Sequence, residues 1–402
     1  MKIAYITNYI GKEFQNKYSK NKNFSVSATY KCRGIARALM LIGNEVTIFS
    51  SGNTMCNRKI KSFEEVEIYP EGKLTIKYPK IFSFRKFSLL NSLTLKKLIK
   101  KEYKKNNYDI LIYYNITTDA FFSINIFKDK IKIIEYEDNI FNKALEGNKN
   151  NFVWFKNRIY NYLIKRTHGL MAVCIGMLNI NIKHKILTPG IIDEEVLDNI
   201  ITGNQHIIKK NVPVKIILTG GVHYSKGPDL LIKAMQYIHH PCEVHFFSST
   251  NFYQEALEAL KTVPQKHKII INDFLEHKKL IKYLTDNADI LINTTRNMGV
   301  GEQNAGFPFK MIEYAAIGRP IVSSLIGKLD DEFNNYITYY NKDTPEDIAR
   351  AINYVINHYE ELFSKALDLQ KLAIKRYSIE GVAKILKPFI EICIKNEYKN
   401  NN

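Results

Sequence analysis

Short, continuously apolar runs alternate with helix-length segments twice along this chain. Lys2–Asn8, Glu45–Ser50, Tyr108–Tyr114, Lys130–Tyr136 and Gly169–Val173 form the first series. Runs of this kind, not alternating with polar residues, fit strands buried on both faces of a parallel sheet. Helical spacing appears between them over Tyr30–Ile42, which Gly43-Asn44 stops, near 89–105, and around 151–166. Val66–Tyr69 and Leu74–Tyr78 add two β-rich pieces, and the polar residues 9–27 read as a long loop. The second series begins at Val214–Leu218 and runs through Val244–Ser248, His267–Ile271, Asp289–Asn293 and Tyr336–Tyr340, with helices over Pro228–Ile238 and Phe252–Leu260 and from Pro345 onward. Such alternation implies an α/β fold with parallel sheets, and 402 residues are too many for one ordinary core. The expected layout is a first Rossmann-like domain over 1–192, a linker over 193–212, a second domain over 213–375, and a C-terminal helix with a Lys/Asn tail over 376–402 that packs back on the first domain. The two sheets are expected to face a central cleft.

Composition narrows the class. Hydrophobic residues make up 45% and charged residues 24%, as in a globular protein. No uncharged apolar run is long enough to span a bilayer. The opening MKIAYITNYIGKE reads as a first strand, not as a signal peptide, and a cytoplasmic location is expected. The five cysteines are scattered without a C-x-x-C pair and are expected to be reduced structural thiols. Net charge is +18. Lys96, Lys97, Lys100, Lys101, Lys104 and Lys105 crowd one segment whose apolar positions Leu90, Leu93, Leu98 and Ile99 lie near helical spacing. That pattern suits a basic amphipathic helix on an anionic membrane surface, or an ordinary solvated helix. A nucleic-acid module is disfavoured, because no aromatic–basic platform or known motif accompanies the charge.

Two stretches carry the chemistry. Gly306–Ser324, GFPFKMIEYAAIGRPIVSS, reads as loop, helix, break and strand. Pro308 is expected at the first helical position. Met311, Tyr314, Ala315 and Gly318 make one packed face, while Lys310 and Glu313 share another. A cation and an acid beside a helix N-terminus at a sheet edge suit a nucleotide, with phosphate on the N–H groups and hydroxyls on the carboxylate. A plain surface Lys–Glu pair is the alternative. The second stretch, Gly220-Gly-Val-His-Tyr-Ser-Lys-Gly-Pro-Asp229, follows a strand and opens a helix. Its glycines admit a ligand to the backbone and Lys226 adds a charge for a diphosphate. It is not a P-loop, since the glycine spacing differs and no Ser or Thr follows the lysine. In the first half, Glu137-Asp138 stand at a strand end, where a carboxylate can orient a hydroxyl, stabilise a developing positive charge or cap the next helix. No Asp-x-Asp occurs and the histidines show no metal-binding pair with a third ligand, so no metal is expected.

TGGVHYSKGPDLLIKA and GFPFKMIEYAAIGRPIVSS together resemble the two signatures of the donor domain in family-4 type glycosyltransferases of GT-B architecture. CRGIARALMLIGNEVTIFS and DNADILIN are similar to further segments of that family, so the resemblance spans nearly the whole chain. It implies a retaining, metal-independent transfer of a sugar from a nucleotide sugar to a glycan or lipid-linked acceptor, as in bacterial surface polysaccharide or glycolipid synthesis, at the inner face of the cytoplasmic membrane. It implies that Lys226 holds the donor diphosphate and Glu313 the ribose hydroxyls, with Gly220, Gly221, Gly306, Phe307 and Lys310 shaping the pocket. Two positions depart from the pattern. Gly221 stands where the family often has Arg, and Ala305 where it often has a second acid, for which Glu302 is a candidate substitute. These departures keep open a nucleotide-sugar isomerase, or epimerase, on the same architecture and a non-catalytic subunit.

Overall fold

A computed structural model describes residues 1–18, 26–52, 59–82, 88–127, 129–137, 151–192, 194–200, 207–208, 212–248, 251–273, 275–296 and 307–400. The chain divides into two compact units. Unit 1 comprises Met1–Ile191 with Ser378–Asn402, and unit 2 comprises Ile192–Tyr377.

Unit 1 is built on eight strands: β1 Lys2–Thr7, β2 Glu45–Ser50, β3 Phe63–Tyr69, β4 Gly72–Tyr78, β5 Ile110–Tyr114, β6 Ile131–Tyr136, β7 Gly169–Ala172 and β8 His184–Leu187. Their order is β3-β4-β2-β1-β5-β6-β7-β8, parallel except for the β3–β4 hairpin. Strands β1, β5 and β6 are almost wholly buried, as continuous apolar runs require. The Val26–Leu41 helix covers one face together with the final helix, Ile379–Asn400, which brings Val382, Leu386, Phe389 and Ile390 into the same core.

Within residues 9–27, expected to be loop, Lys12–Tyr18 is a helix and Val26 begins the next. The first of these is too short to be stable alone. Its N-terminal N–H groups are met by carboxylates from β3. Glu65 accepts from Glu13 N at 2.7 Å and Phe14 N at 3.2 Å, and Glu67 accepts from Lys12 N at 3.0 Å. The helix Ser88–Asn106, expected near 89–105, buries Leu95 and Ile99 and leaves Leu90 and Leu93 exposed.

Unit 2 has six strands: β9 Val214–Thr219, β10 Cys242–Phe247, β11 Lys268–Asn272, β12 Ile290–Asn293, β13 Ile321–Ser324 and β14 Thr338–Tyr340. All pair in parallel in the order β11-β10-β9-β12-β13-β14. The sequence of connections reverses between β9 and β12, which is the doubly wound arrangement with its switch point at those two strands. Right-handed crossovers then put helices made before and after the reversal on opposite faces. Accordingly Pro228–Ala234 packs with Gln254–Leu260, whereas His277–Asn287 packs with Lys310–Ile317; Pro345–Asn357, beyond the last strand, returns to the face of Pro228–Ala234.

Candidate functional site

The carboxyl ends of β9 and β12 lie side by side at the switch point, where open α/β sheets bind ligands. β9 ends at Thr219, and Gly220 comes next. Gly220 takes φ +102°, and a Cβ there would meet no atom within 4 Å, so its backbone borders open space. Gly221 follows, half-buried, and a short 3-10 turn over Tyr224–Lys226 leads to Gly227. Gly227 takes φ +61°, and a Cβ would lie 2.4 Å from the Thr294 carbonyl oxygen. Only glycine lets the turn come so close to the chain leaving β12.

Side chains staple the turn to that neighbour. Thr294 Oγ1 donates to the Lys226 carbonyl at 2.7 Å, and Arg296 N donates to the Ser225 carbonyl at 2.9 Å. The Arg296 guanidinium donates to the Tyr224 carbonyl at 2.5 Å and to Asp229 at 2.7 Å, and covers the Tyr224 ring at 3.9 Å. Tyr253 donates to the same Asp229. Arg296 and Thr294, and the ion pair that Asp229 makes, were invisible in the sequence motifs, because the partners lie some seventy residues apart (Tyr224 and Arg296 are 72 apart).

The second element is the helix Lys310–Ile317. Pro308 sits in the turn ahead of it, not at its first position: Met311 N donates to the Pro308 carbonyl at 2.9 Å, and Phe309 is the N-cap. Met311, Tyr314 and Ala315 are buried, with Ile312, Ala316 and Ile317 beside them. The Tyr314 hydroxyl stands 3.0 Å from Thr219 N, which donates to it, and 2.9 Å from Thr219 Oγ1, tying this helix to the end of β9. Gly318 ends the helix at φ +74°, and Gln370 Nε2 donates to the exposed helix-end carbonyls of Ala316 at 2.8 Å and Ile317 at 3.2 Å.

Lys310, the first residue of this helix, points to the same strand end. Lys310 Nζ donates to the Thr219 carbonyl at 3.4 Å. Burial, and then the charge of Lys226 nearby, push the Lys310 ammonium down to about 7. Two like charges held together in a partly desolvated place are unfavourable until an anion joins them. One turn along, Glu313 accepts a 2.8 Å hydrogen bond from His277 Nε2 at the start of the His277–Asn287 helix. Phe307 is buried with its ring 5.7 Å from that of Phe333. Gly220, Gly221, Lys226 and Lys310 thus gather around the ends of β9 and β12, with Glu313 one turn along the helix from Lys310, while Gly306, Ala305 and Glu302 lie outside the described residues.

In unit 1, Glu137 follows β6, and Asp138 lies outside the described residues. Glu137 N donates to Asn115 Oδ1 at 2.8 Å. The buried Lys31 ion-pairs with Glu137, reaches Glu135 at 3.6 Å and donates to the Thr188 carbonyl at 2.9 Å. Tyr5 donates to Glu135, whose carboxyl is pushed up by burial against the opposing pull of Lys31. Lys31, which neutralises Glu137, lies 106 positions before it and was not evident from the sequence.

Residues 213–358 match the family model described as glycosyl transferases group 1. No curated protein matches the chain by sequence. Among solved structures, the chain is similar to a sucrose-phosphate synthase from Thermosynechococcus elongatus, with TM-score 0.69 and 11% identity over 98% of this chain and 100% of that one. A glycosyltransferase from Rickettsia africae matches with TM-score 0.67 and 18% identity over 98% and 99%. HepE from Anabaena, in complex with UDP, matches with TM-score 0.66 and 11% identity over 97% and 100%. At these identities the likeness speaks for the fold, and the family match speaks for unit 2. Residues 213–358 thus carry a domain that matches the group 1 glycosyltransferases, and the chain as a whole has the two-domain GT-B fold.

Proposed function

We propose that this protein moves a sugar from a nucleotide-sugar donor to a glycan or lipid-linked acceptor, with retention of configuration and without a metal, in the synthesis of a surface polysaccharide or glycolipid. The observation that carries the reading is the pair of ammonium groups, Lys226 and Lys310, at the end of β9, one turn from the carboxylate of Glu313. A nucleoside diphosphate supplies what each group lacks: negative charge for the lysines and a vicinal diol for the carboxylate. Charge also builds up on the diphosphate as the sugar bond breaks, so fixed ammonium groups there stabilise the leaving group where a metal otherwise would. Open space beside the backbone of Gly220 suits the close approach of a phosphate. Similar structures with UDP and with UDP-glucose, those of Anabaena HepE, support a nucleotide-sugar donor.

On the acceptor side we assign Glu137 and Asp138 to orienting the incoming hydroxyl. The Lys31 contact gives Glu137 a fixed direction, which favours an orienting role over that of a strong base. The Ser88–Asn106 helix is assigned to an anionic membrane surface. Among the described residues no helix is long and apolar enough to cross a membrane, so attachment would be peripheral.

Calorimetric titration with a panel of nucleotide sugars, run in excess chelator, tests the donor site. Glu313→Ala and Lys226→Ala should each weaken binding of the best donor roughly ten- to hundredfold, the worth of one hydrogen bond to a charged group. Unchanged affinity in both variants would show the donor site to lie elsewhere.

A further inference from the structure

We propose that His277 is a positioning residue for the donor site: it fixes the Glu313 carboxylate so that both of its oxygens meet the ribose diol. This rests on the reading of Glu313 as the ribose ligand. His277 opens the His277–Asn287 helix, thirty-six positions before Glu313, and its Nε2 lies 2.8 Å from Glu313 Oε1. The imidazole side chain is 7% exposed and the carboxylate 13%, so water competes little for the bond.

The chemistry of the pair sets the roles. A carboxylate only accepts hydrogen bonds, so Nε2 must carry the proton. Neutral imidazole in that tautomer and imidazolium both satisfy this. The terminal torsion of a glutamate is broad and nearly two-fold, so an isolated carboxylate has no preferred plane. One directional bond from a buried ring chooses a plane. A carboxylate has about four lone-pair positions, and the imidazole takes one, which leaves enough for two hydroxyls of a diol. The topology makes the contact possible. The helices after β11 and β12 share one face of the sheet, so the first residue of one can reach the first turn of the next.

The prediction is about discrimination, not affinity alone. A held carboxylate rewards both ribose hydroxyls, whereas a rotating one rewards neither in full. The parent protein and the variants His277→Ala, His277→Gln and Glu313→Gln are titrated with UDP, GDP, ADP and CDP, and then with the 2′-deoxy and 3′-deoxy counterparts of the tightest binder. The parent should prefer the ribonucleotide about tenfold or more, as expected for one hydrogen bond to a charged group. In His277→Ala that preference should fall to about two- or threefold, with most of the loss confined to the ribonucleotide. His277→Gln retains an N–H donor and should restore part of it. Glu313→Gln should lose it with His277 intact. If His277→Ala weakens ribo and deoxy ligands equally, or keeps the full preference, the positioning role is wrong while the donor site stands. If the parent binds no nucleoside diphosphate, the donor site itself is wrong.

Discussion

Lys310 is the residue whose setting most constrains how the site behaves in solution. Its ammonium has the Thr219 carbonyl at 3.4 Å and Lys226 as a like-charged neighbour, and it titrates near 7 instead of 10.5. The sign follows from proton counting. Between about 7 and 10.5 the unfolded chain keeps a proton on this lysine and the folded chain does not, so this group makes folding more favourable as pH rises through that window. Donor binding goes the other way. A diphosphate draws the proton back, so binding above pH 7 takes up a proton and weakens as pH rises, by at most about tenfold per unit. Titrating a nucleotide sugar at pH 8 in two buffers of different ionisation enthalpy measures that uptake. A proton taken up by the parent and absent in Lys310→Met is expected. No uptake in the parent would mean that the lysine does not face the diphosphate. The lysine itself was legible from its place in the helix sequence. Its depressed titration was not, because Lys226 is eighty-four positions away and meets it only across the end of β9.

At the scale of elements, what the sequence could reveal divides along local and distant causes. The Lys310–Ile317 helix was legible because its packed face, its closing glycine and the following β-branched run are all within one short stretch. The Lys12–Tyr18 helix was not, because its stabilising carboxylates, Glu65 and Glu67, sit on a strand some fifty residues later. The Ser88–Asn106 helix was legible from its spacing, but the side that packs inward was not. Part of that face is polar: Asn91 bonds the Phe82 backbone, Ser92 lies 3.0 Å from Thr118, and Glu102 meets Lys77 at 2.7 Å. Apolar spacing alone therefore does not identify the packed side. The turn after β9 shows the converse, a glycine whose meaning depends on its neighbour. Gly227→Ala would strain a backbone at φ +61° and press a Cβ against the Thr294 carbonyl. The backbone term alone costs about 1–3 kcal/mol. A lowered melting temperature with greatly weakened donor binding is expected, since Lys226 is the preceding residue. Gly220→Ala meets no atom within 4 Å and should cost only its backbone strain in the unliganded protein. Equal melting temperatures for the two variants would mean that the close approach to Thr294 contributes nothing.

At the scale of the whole molecule, the net charge of +18 has no counterpart in the proposed donor site, where two lysines lie. Much of it gathers on one stripe of unit 1. The Ser88–Asn106 helix exposes Leu89, Leu90 and Leu93 by 56%, 43% and 37% near its start. Lys97, Lys100, Lys101, Lys104 and Lys105 are exposed farther along, and at 3.6 residues per turn most continue the same stripe. An apolar tip followed by a basic face fits a leaflet rich in anionic headgroups, with the leucines entering the interface and each lysine adding about 1 kcal/mol near the surface. Vesicle flotation separates the two contributions. The full chain should bind phosphatidylglycerol-containing vesicles and leave purely phosphatidylcholine vesicles unbound, with binding that falls as salt rises. Replacing Lys100, Lys101, Lys104 and Lys105 by Gln should remove most of the binding and its salt dependence. Replacing Leu89, Leu90 and Leu93 by Asn should weaken binding at every salt concentration while leaving its salt dependence intact. Donor affinity should be unchanged in both, because the helix lies in unit 1 and the donor residues in unit 2. Equal recovery with both kinds of vesicle, or none with either, would assign these lysines to solubility alone.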